Sequence, residues 1–198
     1  MARKPKVITH LMNNGERQLC KALWRTGVIT EKDALKHFGV SEERRGYGIT
    51  DKRWNLMLKD GVLKKQGQYV FLGDKGDNYL RNKMGMTNKY NSKIEHIKHD
   101  LKLNKCYLEF SETQRETWKT ETEIRSKLSS QQKYHDMYYD SRFDDSTRKN
   151  FIPDATYYSE ELQQEVALEV VTSSYSDMDI AMKRETANRF YNGHFYQI

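Results

Sequence analysis

The stretch LMLKDGVLKKQGQYVFLGDKG, residues 56–76, decides how the first part of the chain folds. Its opening residues complete a helix that begins near Thr50 and ends at Gly61, since glycine commonly terminates helices. Residues 62–72 then predict two short strands joined by a tight hairpin at Gln66-Gly67. We therefore expect a helix followed directly by a β-hairpin.

Two further helices precede this stretch, and one follows it. Residues 14–26 carry apolar side chains at helical spacing and end at Gly27. Thr30 is placed to cap a second helix that closes at Gly39. The segment DKGDNYLRNKM, residues 74–84, predicts a helix after the hairpin. The pattern is three helices, a hairpin and a fourth helix.

This order of elements resembles the winged helix-turn-helix superfamily over most of residues 14–84. The resemblance implies that the helix at 50–60 lies in the major groove of DNA. Lys52, Asn55 and Lys59 share one face of that helix, and its bulky apolar residues point toward the core. Asn55 can recognise an adenine edge and Lys52 a guanine edge.

Other basic residues lie next to this helix in the chain. They are Arg53 at the border of its polar face, Arg44 and Arg45 before it, and Lys64 and Lys65 on the hairpin. The four outside the helix are predicted to contact phosphates, which gives affinity and register but no sequence information. We therefore expect DNA as a partner.

Charge is unevenly distributed along the chain. Residues 1–88 carry 18 Lys and Arg against 9 Asp and Glu, a net charge of +9, whereas residues 89–198 carry 16 against 19, a net charge of −3. Such an asymmetry indicates a polyanionic partner for the first part. A solvated basic surface without a partner has the same charge, so charge alone leaves both interpretations open.

The second part of the chain mixes helices and strands. The predicted elements are a long helix at 92–115, a strand or a strand leading into a short helix at 118–128, an irregular loop at 129–150, two strands around a polar turn at 159–164, a helix at 177–191 and a last strand in 194–198. We expect an α+β protein with two domains, residues 1–88 and 89–198.

Two carboxylates lie on consecutive strands of this second part. Pro153-Asp154 begins one strand, and Glu169 lies within the apolar strand VALEVV, residues 166–171. Adjacent antiparallel strands can bring two such carboxylates together, as a divalent-cation site for phosphodiester hydrolysis requires. A Pro-Asp before a strand is also an ordinary turn, but a carboxylate among apolar residues needs a partner.

This arrangement resembles the PD-(D/E)xK nuclease superfamily, whose core is a helix, three strands, a helix and a strand. The resemblance implies that Asp154 and Glu169 hold Mg²⁺ in a restriction-endonuclease-like domain. More narrowly, the chain resembles replication-relaxation and mobilisation proteins of Gram-positive plasmids and integrative elements. The matching motifs are His99-Asp100-Leu101, Trp118 with Glu121, Pro153-Asp154-Ala155 and Glu169-Val170.

The sequence departs from the superfamily pattern at one position. The pattern places a lysine two residues after the glutamate, where this chain has Val171. Some members supply that lysine from the following helix, so Lys183, with Arg184 beside it, becomes the predicted substitute. If neither points into the site, the resemblance implies a catalytically inactive relative. The family also has an acidic residue on its helix. The resemblance implies that the corresponding residue here is Glu95 or Asp100, with Glu121 as a third choice.

Several classes of protein are disfavoured. No apolar run approaches the roughly 18 residues that a membrane span needs, and MARKPKVITHLMNN lacks the apolar region of a secretory signal. Cys20 and Cys106 form no metal-binding spacing and fit a reducing compartment. We therefore expect a cytoplasmic protein without a membrane partner, and a homodimer stays open.

The sequence thus predicts a DNA-processing protein of a mobile element or phage that cleaves or nicks DNA with Mg²⁺. The alternative is a non-catalytic DNA-binding regulator, or an accessory factor for replication or transfer, with a degenerate nuclease fold. A third alternative is a protein-interaction module that does not bind DNA, because winged helices also mediate protein contacts.

Overall fold

The computed structural model describes residues 12–140, 151–173 and 175–198. The chain divides into two compact units, Met1–Asn104 and Lys105–Ile198, which we call unit 1 and unit 2. Each unit contains helices and strands, so the predicted α+β class is confirmed. Within the described ranges, no helix is both long enough and apolar enough to cross a membrane.

Unit 1 is built from helices around a small antiparallel sheet. Its elements are α1 Asn14–Thr26, β1 Val28–Thr30, α2 Glu31–Phe38, α3 Asp51–Asp60, β2 Leu63–Gln66, β3 Tyr69–Leu72, α4 Asp74–Met84, a 3-10 turn at Ile94–His96, and α5 Ile97–Glu109, in which the unit ends. The sheet order is β1-β3-β2. The first four predicted helices and the predicted hairpin are confirmed.

Local capping explains why these helices begin and end where they do. The Asn13 side chain accepts a hydrogen bond from the Glu16 backbone, and the Glu16 carboxylate accepts one from the Asn13 backbone, which forms a capping box. Thr30 and Thr50 cap α2 and α3 through their hydroxyls, which accept hydrogen bonds from the backbone N–H groups of Asp33 and Arg53. Gly61 ends α3 with a φ of 77°, a conformation that favours glycine.

Unit 1 extends further along the chain than the predicted boundary at residue 88. The Tyr90 backbone N–H donates to the Trp24 carbonyl at 3.0 Å, and the Tyr90 hydroxyl donates to Asp100 at 2.7 Å. The Asn104 side chain donates to the Thr26 hydroxyl at 2.7 Å, with both residues buried. These bonds tie residues 90–104 to α1 and place the division after Asn104.

Unit 2 combines a mixed four-stranded sheet with helices. After the end of α5, its elements are α6 Glu112–Thr117, β4 Lys119–Thr120, α7 Glu121–Ser129, α8 Gln132–Tyr138, β5 Ala155–Ser159, β6 Gln164–Glu169, α9 Asp177–Phe190 and β7 Phe195–Gln197. The sheet order is β4-β5-β6-β7, with antiparallel pairs up to β6 and a parallel pair between β6 and β7.

Apolar side chains from helices and sheet form the core of unit 2. One cluster comprises Ile124, Leu128, Tyr134, Met137, Phe151, Ile152 and Met182. A second joins Ala167 of β6 to Ala187 and Tyr191 at the end of α9. Helix α9 contributes Met182 to the first cluster and Ala187 to the second, where Ala187 joins Ala167 of β6. The second cluster therefore packs α9 against β6, the strand that ends at Glu169.

Three sequence predictions of secondary structure were wrong. The single helix expected at 92–115 is broken, because Ser111 and Gln114 form a capping box that starts α6 as a separate helix. The irregular loop expected at 129–150 contains α8, which Tyr134 and Met137 anchor by burial; residues 141–150 lie outside the described residues. Strand β1 was missed, and it forms by pairing with β3.

Candidate functional site

The β5–β6 hairpin brings Asp154 and Glu169 together. Ala155 pairs with Leu168, so the two acids occupy the next opposed positions of the same register. The Asp154 backbone N–H donates to Glu169 Oε2 at 3.1 Å, and the Val170 backbone N–H donates to Asp154 Oδ2 at 2.8 Å. Both side chains are buried. The reciprocal bonds hold the two carboxylates side by side at one end of the hairpin.

Helix α9 supplies a positive charge to this carboxylate pair. The Lys183 ammonium forms an ion pair with Glu169 Oε1, and the two side chains are only 8% and 0% exposed. The neighbouring Arg184 points elsewhere, since its guanidinium lies 6.0 Å from the centre of the Phe195 ring. Of the two predicted substitutes for the missing lysine, Lys183 is therefore the one that meets Glu169.

Tyr175 completes the cluster and was not predicted from the sequence. Its hydroxyl hydrogen-bonds the Glu169 carboxylate and lies 3.4 Å from Lys183 Nζ, which donates to it. The Lys183 ammonium also lies 5.2 Å from the centre of the Tyr175 ring. We refer to Asp154, Glu169, Tyr175 and Lys183 as the acid–lysine cluster.

Burial determines the electrostatics of the cluster. Burial, and then the nearby charge of Asp154, raise the pKa of Glu169 to about 8, although Lys183 and Tyr175 act in the opposite direction. Burial also raises the pKa of Tyr175, with Glu169 and Asp154 adding to the effect, so its hydroxyl stays protonated. A divalent cation at these carboxylates would act in the same direction as Lys183 and lower the pKa of Glu169.

The donor set fits a hard divalent cation. Mg²⁺ prefers oxygen ligands and commonly takes one or two protein carboxylates, with water and phosphate completing its shell. Asp154 and Glu169 provide two such carboxylates, already oriented by backbone N–H groups. Among residues 12–140, 151–173 and 175–198, no three His, Cys, Asp or Glu side chains form a metal-binding group.

The predicted acid Glu95 lies in a different unit from the cluster. Glu95 belongs to unit 1, is exposed, and lies 3.8 Å from Lys93 and 3.7 Å from His96. Asp100 is also in unit 1 and is buried, where it accepts hydrogen bonds from Tyr90 and Ser92. The catalytic roles of Glu95 and Asp100 therefore stay predictions.

Glu121, the third choice, is the one alternative that shares a unit with the cluster. It begins α7, pairs with Arg125 at 2.6 Å, and its charge contributes to the raised pKa of Tyr175.

Val171 lies at the position where the superfamily pattern has lysine. Its backbone N–H donates to the Ile198 carbonyl at 2.9 Å.

A second candidate surface lies on α3 in unit 1. Lys52, Asn55 and Lys59 are exposed, as the helical spacing predicted, whereas Trp54 and Met57 are buried. We call these three residues the α3 face. Arg45, in the loop before α3, is also exposed. The α3 face therefore exposes two positive charges and one amide group to solvent.

Two of the arginines predicted to bind DNA also have contacts within unit 1. Arg53 lies 3.5 Å from the carboxylate of Glu16, which is fully buried, so it neutralises an internal charge. Arg44 donates to the carbonyls of Gly39 at 3.0 Å and Lys36 at 2.9 Å, which binds its guanidinium to the end of α2. Both are half-buried, and we assign them to the support of α3.

The two hairpin lysines are exposed but paired with acids. Lys64 lies 2.6 Å from Asp74, and the hydrogen bond and charge of Lys64 lower the pKa of Asp74. Lys65 lies 2.6 Å from Glu31, which also accepts a hydrogen bond from the Trp54 indole at 3.1 Å. Exposed ion pairs of this kind are weak, so both lysines can exchange these acids for phosphates.

Some of these functional contacts had a signal in the sequence and others did not. The capping-box spacing from Asn13 to Glu16 indicates a carboxylate at the start of α1, although not its contact with Arg53. Tyr175 has no such signal, because its position depends on how the segment between β6 and α9 turns back on Glu169.

No protein-family model, curated protein or solved structure matches this chain.

Proposed function

We propose that this protein binds DNA and cleaves or nicks it in a Mg²⁺-dependent reaction, as a DNA-processing protein of a mobile element or phage. The observation that carries the proposal is the convergence of Asp154, Glu169 and Lys183 from β5, β6 and α9 in one buried cluster. Buried charges of this kind are costly and concentrate at functional sites.

A winged-helix fold for unit 1 is supported by its topology. Three helices, the β2–β3 hairpin and the sheet order β1-β3-β2 are what such a domain requires. In this proposal the α3 face enters the major groove, with Asn55 and Lys52 at base edges. Lys59, Arg45, Lys64 and Lys65 contribute charge to phosphates.

A restriction-endonuclease-like fold for unit 2 is supported by the order of its elements. In chain order, a helix precedes strands β4, β5 and β6, which are followed by helix α9 and strand β7. Strand β7 lies parallel beside β6. Unlike the superfamily pattern, unit 2 also contains α7 and α8 between β4 and β5. This insertion leaves the β5–β6 hairpin intact, and the proposed acids lie on that hairpin.

The chemistry proposed for the cluster divides between acids and lysine. Asp154 and Glu169 hold Mg²⁺, which when bound supplies Lewis-acid polarisation of the phosphodiester. Lys183 stabilises the negative charge that develops on the phosphate or orients the attacking water. Water adds across one P–O bond, giving a phosphate monoester on one side of the break and a hydroxyl on the other.

A non-catalytic DNA-binding protein is the second candidate, and one observation favours it. The Lys183 ammonium already neutralises Glu169 within the buried cluster, as in a domain that keeps a nuclease fold for stability alone. The acid–lysine cluster then serves only to hold α9 against β6. The α3 face and its neighbouring charges act in the same way under both candidates.

A plasmid-nicking assay with the full chain separates the two candidates. Wild type is compared with Asp154→Asn and Glu169→Gln in Mg²⁺ and in EDTA, with Glu161→Gln as matched control because Glu161 is exposed in the β5–β6 turn. We expect wild type and Glu161→Gln to nick DNA in Mg²⁺ only, and both cluster variants to bind DNA without nicking. No nicking by wild type in Mg²⁺ or Mn²⁺ supports the second candidate.

Salt dependence separates DNA binding from a protein-interaction role. Contacts between lysines and phosphates release counterions, so the logarithm of the binding constant falls linearly with the logarithm of salt concentration. We expect this dependence for a labelled duplex. Absence of measurable duplex binding at low salt would favour the protein-interaction alternative.

A further inference from the structure

Tyr175 occupies a position in the cluster that the proposed chemistry does not yet use. It follows β6 in a turn in which its backbone N–H donates to the Thr172 carbonyl at 3.1 Å, and it precedes the Ser176 cap of α9. Its side chain is half-buried and meets Glu169 and Lys183, the two members of the buried ion pair.

We propose that Tyr175 is a positioning residue that holds the Lys183 ammonium beside the carboxylate pair. The inference rests on the proposed function, because it concerns how the substitute lysine is kept in place. A lysine placed on a strand is oriented by the sheet, whereas Lys183 reaches Glu169 from α9 through a flexible four-carbon stem. Such a stem needs a second contact to hold one position.

The hydroxyl and the ring of Tyr175 provide that contact together. The hydroxyl can donate to the Glu169 carboxylate while it accepts from Lys183 Nζ, since a phenol has one donor and lone pairs to accept with. The ring lies 5.2 Å from the same ammonium, within the range of cation–π attraction.

The arrangement also determines where the Lys183 ammonium lies when Glu169 coordinates another cation. Among the described residues, the contacts of the Lys183 ammonium are with Glu169 and Tyr175. If Glu169 turns to a cation, Tyr175 keeps the ammonium at the edge of the cluster instead of releasing it to solvent. The lysine then remains available to a phosphate.

The test uses the full chain with Tyr175→Phe, which removes only the hydroxyl, and Tyr175→Leu, which also removes the ring. The matched control is Tyr158→Phe, because the Tyr158 hydroxyl contacts Gln163 in the same unit at 3.3 Å. The first readout is the rate of reductive methylation of Lys183 without metal, resolved by peptide mass spectrometry. The second is kcat and KM for plasmid nicking.

We expect Tyr175→Phe to raise Lys183 methylation several-fold and to lower kcat by about tenfold with KM unchanged, the size typical of residues that orient a first contact. Tyr175→Leu should raise methylation further, and Tyr158→Phe should match wild type. Unchanged methylation and kcat in Tyr175→Phe would overturn the proposal, as would faster methylation with unchanged kcat.

The two readouts also separate this inference from the proposed function. If wild type does not nick DNA but Tyr175→Phe still exposes Lys183, the endonuclease proposal fails, and with it the catalytic part of the inference. If wild type nicks and Tyr175→Phe behaves like wild type in both readouts, the endonuclease proposal stands and the role of Tyr175 does not.

Discussion

The α3 face and the acid–lysine cluster use charge in opposite ways. On the α3 face, Lys52 and Lys59 extend into solvent, where each charge costs little and can be exchanged between partners. In the cluster, Glu169 and Lys183 are almost fully buried and each depends on the other. Charge that is exposed is available for binding a polyanion, whereas a buried ion pair is costly to form, and we propose that this one belongs to a chemical site.

This difference predicts the largest effect for catalysis. Lys183→Met should lower Mg²⁺-dependent nicking by about 100- to 1,000-fold, the usual cost of removing one preorganised charge-stabilising group. DNA affinity should stay close to wild type, because in the proposed function most of the binding charge comes from the α3 face and its neighbouring lysines, and the cluster contacts a single phosphate. Initial nicking rates and fluorescence anisotropy measure the two quantities.

Arg184→Met is the matched control for that experiment. Arg184 is the next residue on α9, is exposed, and contacts Phe195 instead of Glu169. Its removal should leave the nicking rate near wild type. Equal losses in the two variants would mean that α9 contributes general positive charge and that Lys183 has no specific role.

The second prediction concerns stability and compares the same substitution in the two regions. Lys183→Met leaves a buried carboxylate without its ion-pair partner and should destabilise unit 2 by about 3 kcal/mol. Lys59→Met should change unit 1 by no more than about 0.5 kcal/mol, as is usual for exposed sites. Hydrogen exchange measures each unit separately.

In that experiment, amides of β6 in Lys183→Met should exchange about 100-fold faster, because each 1.4 kcal/mol is a factor of ten. Amides of β3 in Lys59→Met should keep wild-type rates. Similar protection of β6 in Lys183→Met and wild type would contradict the account of a mutually dependent buried pair.

The third prediction concerns DNA affinity. The double variant Lys52→Ala and Lys59→Ala should reduce the slope of log K against log salt by about 1, for the phosphate contact of Lys59, and should weaken discrimination between bases through the loss of Lys52. Lys83→Ala on α4 is the control, because Lys83 is exposed but lies outside the α3 face. An unchanged slope in the double variant would place the DNA contacts elsewhere.

The fourth and smallest effect comes from Glu165, an acid of intermediate burial on β6. Burial acts to raise the pKa of Glu165, but hydrogen bonds from Lys119 and Thr156 and the nearby lysine charges outweigh it, so the pKa is lowered. Because the folded pKa lies below the unfolded one, this stabilisation is present above the unfolded pKa and is lost as pH falls through the folded pKa.

Glu165→Gln should therefore destabilise unit 2 by about 1 kcal/mol at neutral pH, the usual size for such a hydrogen bond. The difference from wild type should shrink in acid. Hydrogen exchange of β6 at neutral and acidic pH measures it. A difference that grows as pH falls would contradict the lowered pKa of Glu165.

Much of the fold was predictable because it is determined locally. Caps at Thr30 and Thr50, a glycine at Gly61 and the Gln66-Gly67 turn define the helices and hairpin of unit 1 within a few residues. Strand β1 and helix α8 were not predictable in this way. They form because of burial against distant residues, which no short segment encodes.

The candidate site was predictable to the extent that strand register determines it. Asp154 and Glu169 lie opposite each other because two antiparallel strands flank one turn. An acid within an apolar strand is also unusual, because a buried carboxylate needs a partner. Tyr175 was missed because its contact depends on the path of a connecting segment. The contact of Arg53 with Glu16 was not predictable, because the two residues lie on different helices.

The central claim is that Asp154 and Glu169 hold a divalent cation, and a crystal soaked in Mn²⁺ tests it most directly. The account predicts an anomalous-scattering peak about 2.1 Å from a carboxylate oxygen of each residue, and no peak in an Asp154→Asn crystal soaked alongside. A wild-type crystal that shows no manganese at these carboxylates, while it binds manganese elsewhere, would contradict the account.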